Sequence, residues 1–249
     1  MFDFTGKTAI VTGAGSGIGE AVALELAAAG AHVIVSDLQS DACAHVCAAI
    51  LDRGGKATAC VADVADPQAH ERLVACAEDT GGLHLAVNNA GIGGAQAPTG
   101  DYPLDAWRQV MGVNLDGVFY GMRAQIPAMQ RAGGGAIVNM ASILGTVGFA
   151  NSSAYVASKH AVIGLTKTAA MEYAQKGIRI NAVGPAFIQT PLLTNNLDQE
   201  MLDGLAGLHP VGRIGTPEEV SALTCFLLSD RASFITGSYH LVDGGFTAP

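Results

Sequence analysis

A chain of 249 residues, 49% hydrophobic and 14% charged, is long and apolar enough to bury a large core, which excludes a disordered or mainly solvated protein. Its formal net charge of −9 repels nucleic-acid backbones and anionic lipid surfaces, so neither nucleic acid nor a membrane surface is an expected partner. The five cysteines, Cys43, Cys47, Cys60, Cys76 and Cys225, lack knuckle spacing and read as ordinary thiols, with no metal site.

In chain order, the stretch from Met1 to Lys7 has no basic segment leading into an apolar run, and nothing later is long enough to span a bilayer. A cytoplasmic protein with reduced thiols is expected. Thr8 to Val11 reads as a strand, followed by a glycine-rich turn and a helix over Gly17 to Ala29. Further strands are expected at His32 to Ser36, Ala57 to Val61, Leu83 to Val87, Ala136 to Met140, Arg179 to Val183 and Tyr239 to Val242. Several are apolar at nearly every position, as strands covered on both faces are. Helices alternate with them at Ser40 to Arg53, Pro67 to Asp79, Pro103 to Gln130, Ser153 to Gln175 and Pro217 to Leu228. Asp66-Pro67 and Thr216-Pro217 each set a capping side chain before a proline at the first helical position. The alternation predicts an α/β fold: one doubly wound parallel sheet of about seven strands, with helices on both faces, in a single domain over residues 1–249. Only residues 186–213 break the rhythm, as a loop near the carboxyl ends of the strands.

Those strand ends carry the chemistry. The first strand runs into Gly13-Ala14-Gly15-Ser16-Gly17-Ile18-Gly19, where glycines let the backbone approach a pyrophosphate and the helix N-terminus offers N–H groups. The spacing is T-G-x-x-x-G-x-G, not the common G-x-G-x-x-G. Asp37, with Leu38 beside it, follows the second strand, 24 residues after Gly13, where a carboxylate accepts both hydroxyls of an adenosine ribose and repels a 2′-phosphate. No arginine sits in the glycine turn, so NAD is favoured over NADP. Asp63-Val64 and Asn88-Asn89-Ala90-Gly91 end the third and fourth strands and suit the same cofactor. At the other end, Tyr155 and Lys159 stand at i and i+4 on one helix face, where an ammonium lowers the pKa of a phenol and makes it an acid/base. Ser142, closing the fifth strand, is placed to hydrogen-bond a substrate oxygen.

Taken together, Thr12-Gly13-x-x-x-Gly17-x-Gly19, Asn88-Asn89-Ala90-Gly91, Asn114, Ser142, Tyr155-x-x-x-Lys159 and Asn181-Ala182-Val183-Gly184-Pro185 resemble the single-domain short-chain dehydrogenases/reductases, from Thr5 to Thr247. The resemblance implies that Ser142 orients the substrate oxygen and Tyr155 exchanges its proton. It implies that Lys159 holds the nicotinamide ribose and depresses the Tyr155 pKa, and that Asn114 holds a relay water. Ile188 and Thr190 would meet the carboxamide, Pro185 would bind the cofactor beside them, and Asp63 and Val64 would flank the adenine. One departure is Ala186, where the family has glycine after Pro185. At positive φ an alanine would be strained by roughly 1 kcal/mol or more, so an ordinary backbone is expected there.

Substrate-pocket candidates are Gly93, Gly94, Ile143, Leu144, Phe149, Asn151, Phe187, Leu192 and Leu193, mostly apolar and none cationic. They favour a neutral secondary alcohol or its ketone, cyclic or steroid-like substrates included, over a carboxylate or phosphate. A 3-oxoacyl-thioester reductase is the alternative, against which Met171 stands where acyl-carrier reductases tend to carry arginine. A silent NAD-binding sensor or scaffold is the alternative of another class; such relatives lose the tyrosine or lysine retained here. The resemblance also implies a homotetramer, with the two long helices at one interface and the C-terminal segment at another.

Overall fold

Period-two alternation in the strands sends small and β-branched apolar side chains to both faces of one sheet. The computed structural model describes residues 2–195 and 198–248. Met1, Asn196, Leu197 and Pro249 lie outside the described residues; they include the start and end of the expected domain and two positions of the expected loop. The strands are β1 (Thr8–Thr12), β2 (His32–Ser36), β3 (Lys56–Ala59), β4 (Leu85–Asn88), β5 (Gly135–Met140), β6 (Ile178–Pro185) and β7 (Tyr239–Val242), all parallel in the order β3-β2-β1-β4-β5-β6-β7. Chain direction across the sheet reverses between β1 and β4, which opens a crevice at their carboxyl ends.

The helices are α1 (Gly17–Ala28), α2 (Ser40–Asp52), α3 (Pro67–Glu78), α4 (Leu104–Met111), α5 (Gly117–Arg131), α6 (Ser153–Tyr173), α7 (Pro191–Thr194), α8 (Gln199–Gly207) and α9 (Pro217–Leu228). Val11, Val33, Val35, Val87 and Val138 face Val22, Leu26, Val46 and Val220, so α1, α2 and α9 cover one side. Ile10, Ile34, Ala86 and Ile137 face Leu73, Met122, Ile126 and Val162, so α3, α5 and α6 cover the other. Both expected caps form: Asp66 accepts from the Gln68 N–H, and Thr216 and Glu219 make a reciprocal capping box.

Beyond shifts of one or two residues at element ends, three features depart from expectation or qualify it. The helix anticipated from Pro103 to Gln130 is interrupted by a π-helical turn at Gly112–Asp116, which inserts an extra residue around Asn114. The edge strand β3 ends at Ala59, before Val61, because it has a neighbour on one side only. The loop at 186–213 is not devoid of helix: it carries α7, with a proline in its first turn, and α8, capped by Asp198 on the Met201 N–H. That loop is pinched at its base, where Gly215 donates to Phe187 O at 2.9 Å and accepts from Gln189 N at 2.9 Å.

Beneath the strand ends lies a buried amide network. Asn88 Nδ2 donates to Asn139 Oδ1 at 2.9 Å, Gln125 Nε2 to Asn88 Oδ1 at 2.8 Å, and Asn139 Nδ2 to Thr166 Oγ1 at 3.0 Å. It links β4, β5, α5 and α6, and its members are at most 3% exposed. Satisfied networks of this kind specify one packing, and a missing member leaves the others short of partners. Asn139→Leu, nearly the same size, should cost roughly 1–3 kcal/mol, read as a lower urea midpoint at an unchanged slope.

Candidate active site

At the turn after β1, Gly13 and Gly17 have φ of +61° and +55°, the left-handed region that glycine tolerates. A Cβ at Gly13 would lie 2.8 Å from Ala90 Cα, and one at Gly19 would collide with Gly13 O. The turn is lashed to the end of β4. Thr12 Oγ1 accepts from Asn89 N at 3.0 Å and Ala90 N at 3.2 Å, while Asn89 Nδ2 donates to Thr12 O and Gly13 O at 3.0 and 3.1 Å. Asp37 faces the same turn: its Oδ2 accepts from Gly15 N at 3.0 Å and its Oδ1 from Gln39 N at 3.2 Å. The carboxylate therefore caps its own turn as well as standing at the rim of the crevice.

The second half of the site hangs on β5 and α6. Ser142, 6% exposed, accepts from Leu144 N at 3.2 Å. Tyr155 and Lys159, on the first turns of α6, point to the same region. The Lys159 Nζ lies 5.5 Å from the Tyr155 ring centroid and donates to Met140 O at 2.7 Å. Burial alone lowers the Lys159 ammonium to about 8. Tyr155 departs from the sequence expectation: its hydroxyl is pushed up, chiefly by burial, with the hydrogen bond to Ser142 opposing. The ammonium is turned to the Met140 carbonyl, so desolvation decides the direction. Asn114 is fully buried at the π-turn. Its Oδ1 accepts from Ile92 N and its Nδ2 donates to Ile92 O, both at 2.9 Å, so the side chain is held by main chain rather than left free to hold a water.

These parts surround one cavity of about 380 Å³. Gly13, Ser16, Gly17, Ile18 and Asp37 line one end, followed by Asn89, Ala90 and Gly91. Ser142, Leu144, Tyr155 and Lys159 line the other; Pro185, Phe187, Ile188 and Leu192 also line the cavity, and Thr190 does so beside Gly17. Gly93, Ile143, Phe149 and Leu193 are there too. Ala186 is not in the left-handed region; among the described residues only Asn151 combines a side chain with positive φ, +65°.

Other expected site residues stand outside the lining. Gly19 is buried within the turn, Leu38 is 67% exposed, Asp63 caps the turn at Ala65 N, and Val64 is buried against Gly117. Asn151 and Gly94 are exposed and not part of the lining, and the neighbour Ser152 lines it instead. Gln96, Ser152, Met140 and Ala141 were missed. Ser152 reaches the wall through a bridge pairing it with Ala97, a long-range contact with no local pattern. Among the described residues no cluster of His, Cys, Asp or Glu could hold a metal ion, and no helix is long and apolar enough to cross a membrane.

A family profile described as enoyl-(acyl carrier protein) reductase matches residues 13–247. The chain is 52% identical to cyclohexanol dehydrogenase of Acinetobacter sp. (strain SE19), over 98% of this chain and 96% of that one. It is similar to the crystal structure of levodione reductase, with a TM-score of 0.95 and 38% identity, covering 98% and 99% of the two chains. A provisional NAD(P)-dependent gluconate 5-dehydrogenase from Beutenbergia cavernae, with NADP at low occupancy, matches with a TM-score of 0.93 and 41% identity, covering 100% and 99%.

A buried ammonium at about 8 has a consequence for stability. The folded state gives up this proton near 8, the unfolded chain near an ordinary lysine value of about 10.4. Between those values the unfolded state binds more protons, so this group's contribution to stability rises with pH. Below pH 8 the buried charge is a standing penalty. Lys159→Met should therefore raise the Tm of the cofactor-free protein at pH 7, by a few degrees. The advantage should fade as pH climbs to about 10.4, as thermal melts of both proteins at pH 7 and pH 10 would show.

Proposed function

The chain belongs to the short-chain dehydrogenase/reductase family, and from that premise we propose that it interconverts a secondary alcohol and its ketone, using NAD, with Tyr155 as the acid/base. The observation that carries the reading is the single cavity in which a glycine turn and Asp37 face one end and Ser142, Tyr155 and Lys159 the other.

The cradle suits a dinucleotide. Main-chain N–H groups at the N-terminus of α1 take the pyrophosphate, Asp37 the adenosine ribose, and Lys159 the nicotinamide ribose. Leu38, Asp63 and Val64 flank the adenine, and Ile188 and Thr190 the carboxamide. When bound, the cofactor supplies or accepts the hydride. Ser142 donates to the substrate oxygen, and Tyr155 gives it a proton in reduction or removes one in oxidation. Burial keeps the Tyr155 phenol protonated, which suits it as the acid for a ketone; Lys159 supplies positive potential for the reverse direction. Because the Asn114 side chain is occupied by Ile92, its part in a proton relay falls to its main-chain carbonyl in the π-turn.

The substrate end is apolar, walled by Ile143, Leu144, Phe149, Phe187, Leu192 and Leu193. That wall, with relatives named for cyclohexanol and levodione, supports a ring alcohol or ring ketone as substrate. The loop at 186–213 acts as the substrate loop. Exposed apolar residues support a homotetramer: Leu104, Trp107 and Phe119 along α4 and α5, and Met171 and Phe234 near α6 and β7. An odd number of thiols without paired spacing supports the reducing cytoplasm.

The Beutenbergia relative holds NADP, so the choice of cofactor rests on Asp37. We expect kcat/KM at least roughly tenfold higher with NAD than with NADP, and a narrowed ratio in Asp37→Ala. Equal use by the wild type would refute the assignment. For the acid/base, Tyr155→Phe should lower kcat on cyclohexanol by roughly 10²- to 10⁴-fold, with NADH affinity little changed. Near wild-type turnover would remove Tyr155 from the mechanism.

A further inference from the structure

Ser142 stands just past the last rung that ties β5 to β6, the 2.8 Å bond from Ala141 N to Val183 O. From there its backbone is extended, with φ −174° and ψ 161°, and runs into a short 3₁₀ turn at Ile143–Gly145. Its carbonyl accepts from Gly145 N at 2.8 Å within that turn. A second bond to the same carbonyl comes from far along the chain. Tyr239, the first residue of β7, donates its hydroxyl to Ser142 O at 2.6 Å.

To make this bond the phenol must cross β6. Tyr239 pairs with Ala182 in the β6–β7 ladder, and its ring lies over Gly184, where a Cβ would come within 2.5 Å of two ring carbons. A glycine in β6 and a tyrosine in β7 thus fit each other, and the hydroxyl arrives behind the residue proposed to hold the substrate oxygen. Filling the space needs only the ring, which Phe would supply. What the hydroxyl adds is the short hydrogen bond to Ser142 O, beside a hydrogen bond with the Thr146 side chain at the end of the same turn. Burial pushes that hydroxyl up to about 12, so it remains a protonated donor under assay conditions.

We propose that Tyr239 is a positioning residue for the reaction, fixing the Ser142 peptide from behind so that the Ser142 hydroxyl points at the reacting oxygen. The proposal rests on the reading of Ser142 as the substrate-orienting group. With both carbonyl bonds in place, the peptide following Ser142 cannot rotate, and the Ser142 Oγ, which accepts from Leu144 N, keeps its own proton aimed into the cavity. Without the Tyr239 hydroxyl the turn keeps its own bond and the ring keeps its packing, but the angle of approach at the reacting oxygen loosens. Catalysis is sensitive to such loosening, because misplacement by a fraction of an ångström is costly at the transition state and cheap in the ground state.

The test is a double-mutant cycle of wild type, Tyr239→Phe, Ser142→Ala and the double variant. It is assayed as oxidation by NAD of cyclohexanol, or of whichever ring alcohol the wild type oxidises fastest. Tyr239→Phe should lower kcat roughly tenfold, with the KM for NAD and the binding of NADH unchanged. In the Ser142→Ala background the same substitution should change kcat by less than about twofold, because the group it positions is gone. An equal loss in both backgrounds would mean a general structural role and would overturn the proposal. So would full activity in Tyr239→Phe beside a crippled Ser142→Ala, an outcome that leaves the assignment of Ser142 standing. If Ser142→Ala itself kept wild-type kcat, the reading of Ser142 would fail and the positioning role with it.

Discussion

The hydroxyl of Thr12 receives the N–H groups of Asn89 and Ala90 at 3.0 and 3.2 Å, and the carboxyl end of the sheet is arranged around that tie. It draws the turn after β1 against the turn after β4, at the place where the winding of the sheet changes direction. So close an approach leaves no room for side chains. Gly13 is confined by Ala90 and Gly19 by the Gly13 carbonyl. The space that results between backbones is the crevice; it is shaped by what two adjacent strand ends must do to stay hydrogen-bonded.

The same crowding explains why the site is held from below by polar groups in an apolar core. Four backbone segments converge here, and side-chain amides and hydroxyls bridge them where sheet ladders stop. Asn88, Gln125, Asn139 and Thr166 satisfy one another beneath β4 and β5, and Asn114 binds the main chain of Ile92. Lys159 is a different case. Its charge is buried against a single carbonyl, an arrangement that favours the cavity over the stability of the empty protein. The stiffness of the surrounding network is what allows such a group to remain in place.

Short-range pattern made most of the fold readable. The seven strands were visible as apolar runs, and two helix starts as capping residues before prolines, because those signals act within a few residues. The glycine turn, Asp37, Ser142, Tyr155 and Lys159 were readable because each stands at a strand end or on one helix face. What remained hidden depends on distant contacts or on backbone geometry without a compositional mark. The π-turn at Gly112–Asp116 has an ordinary helical sequence, and α7 and α8 are too short for a periodic pattern. Ser152 meets the cavity only through its bridge to Ala97. The upward displacement of the Tyr155 hydroxyl follows from its burial, which no i, i+4 spacing announces.

The pinch at Phe187, Gln189 and Gly215 closes the base of the segment that carries α7 and α8. Its two ends are already held side by side by main-chain bonds, so the length of chain between them contributes little to the cost of folding the sheet. Loop-closure entropy grows only with the logarithm of length, about 0.6 kcal/mol per doubling. The freedom this gives lies in α8, none of whose residues is buried, while the flanks are fixed: Thr190 packs against Gly17, Val211 N donates to Gly244 O and Arg213 pairs with Glu219. A sheet of this form can accept change in one clipped, exposed helix without re-solving the problem of how to fold.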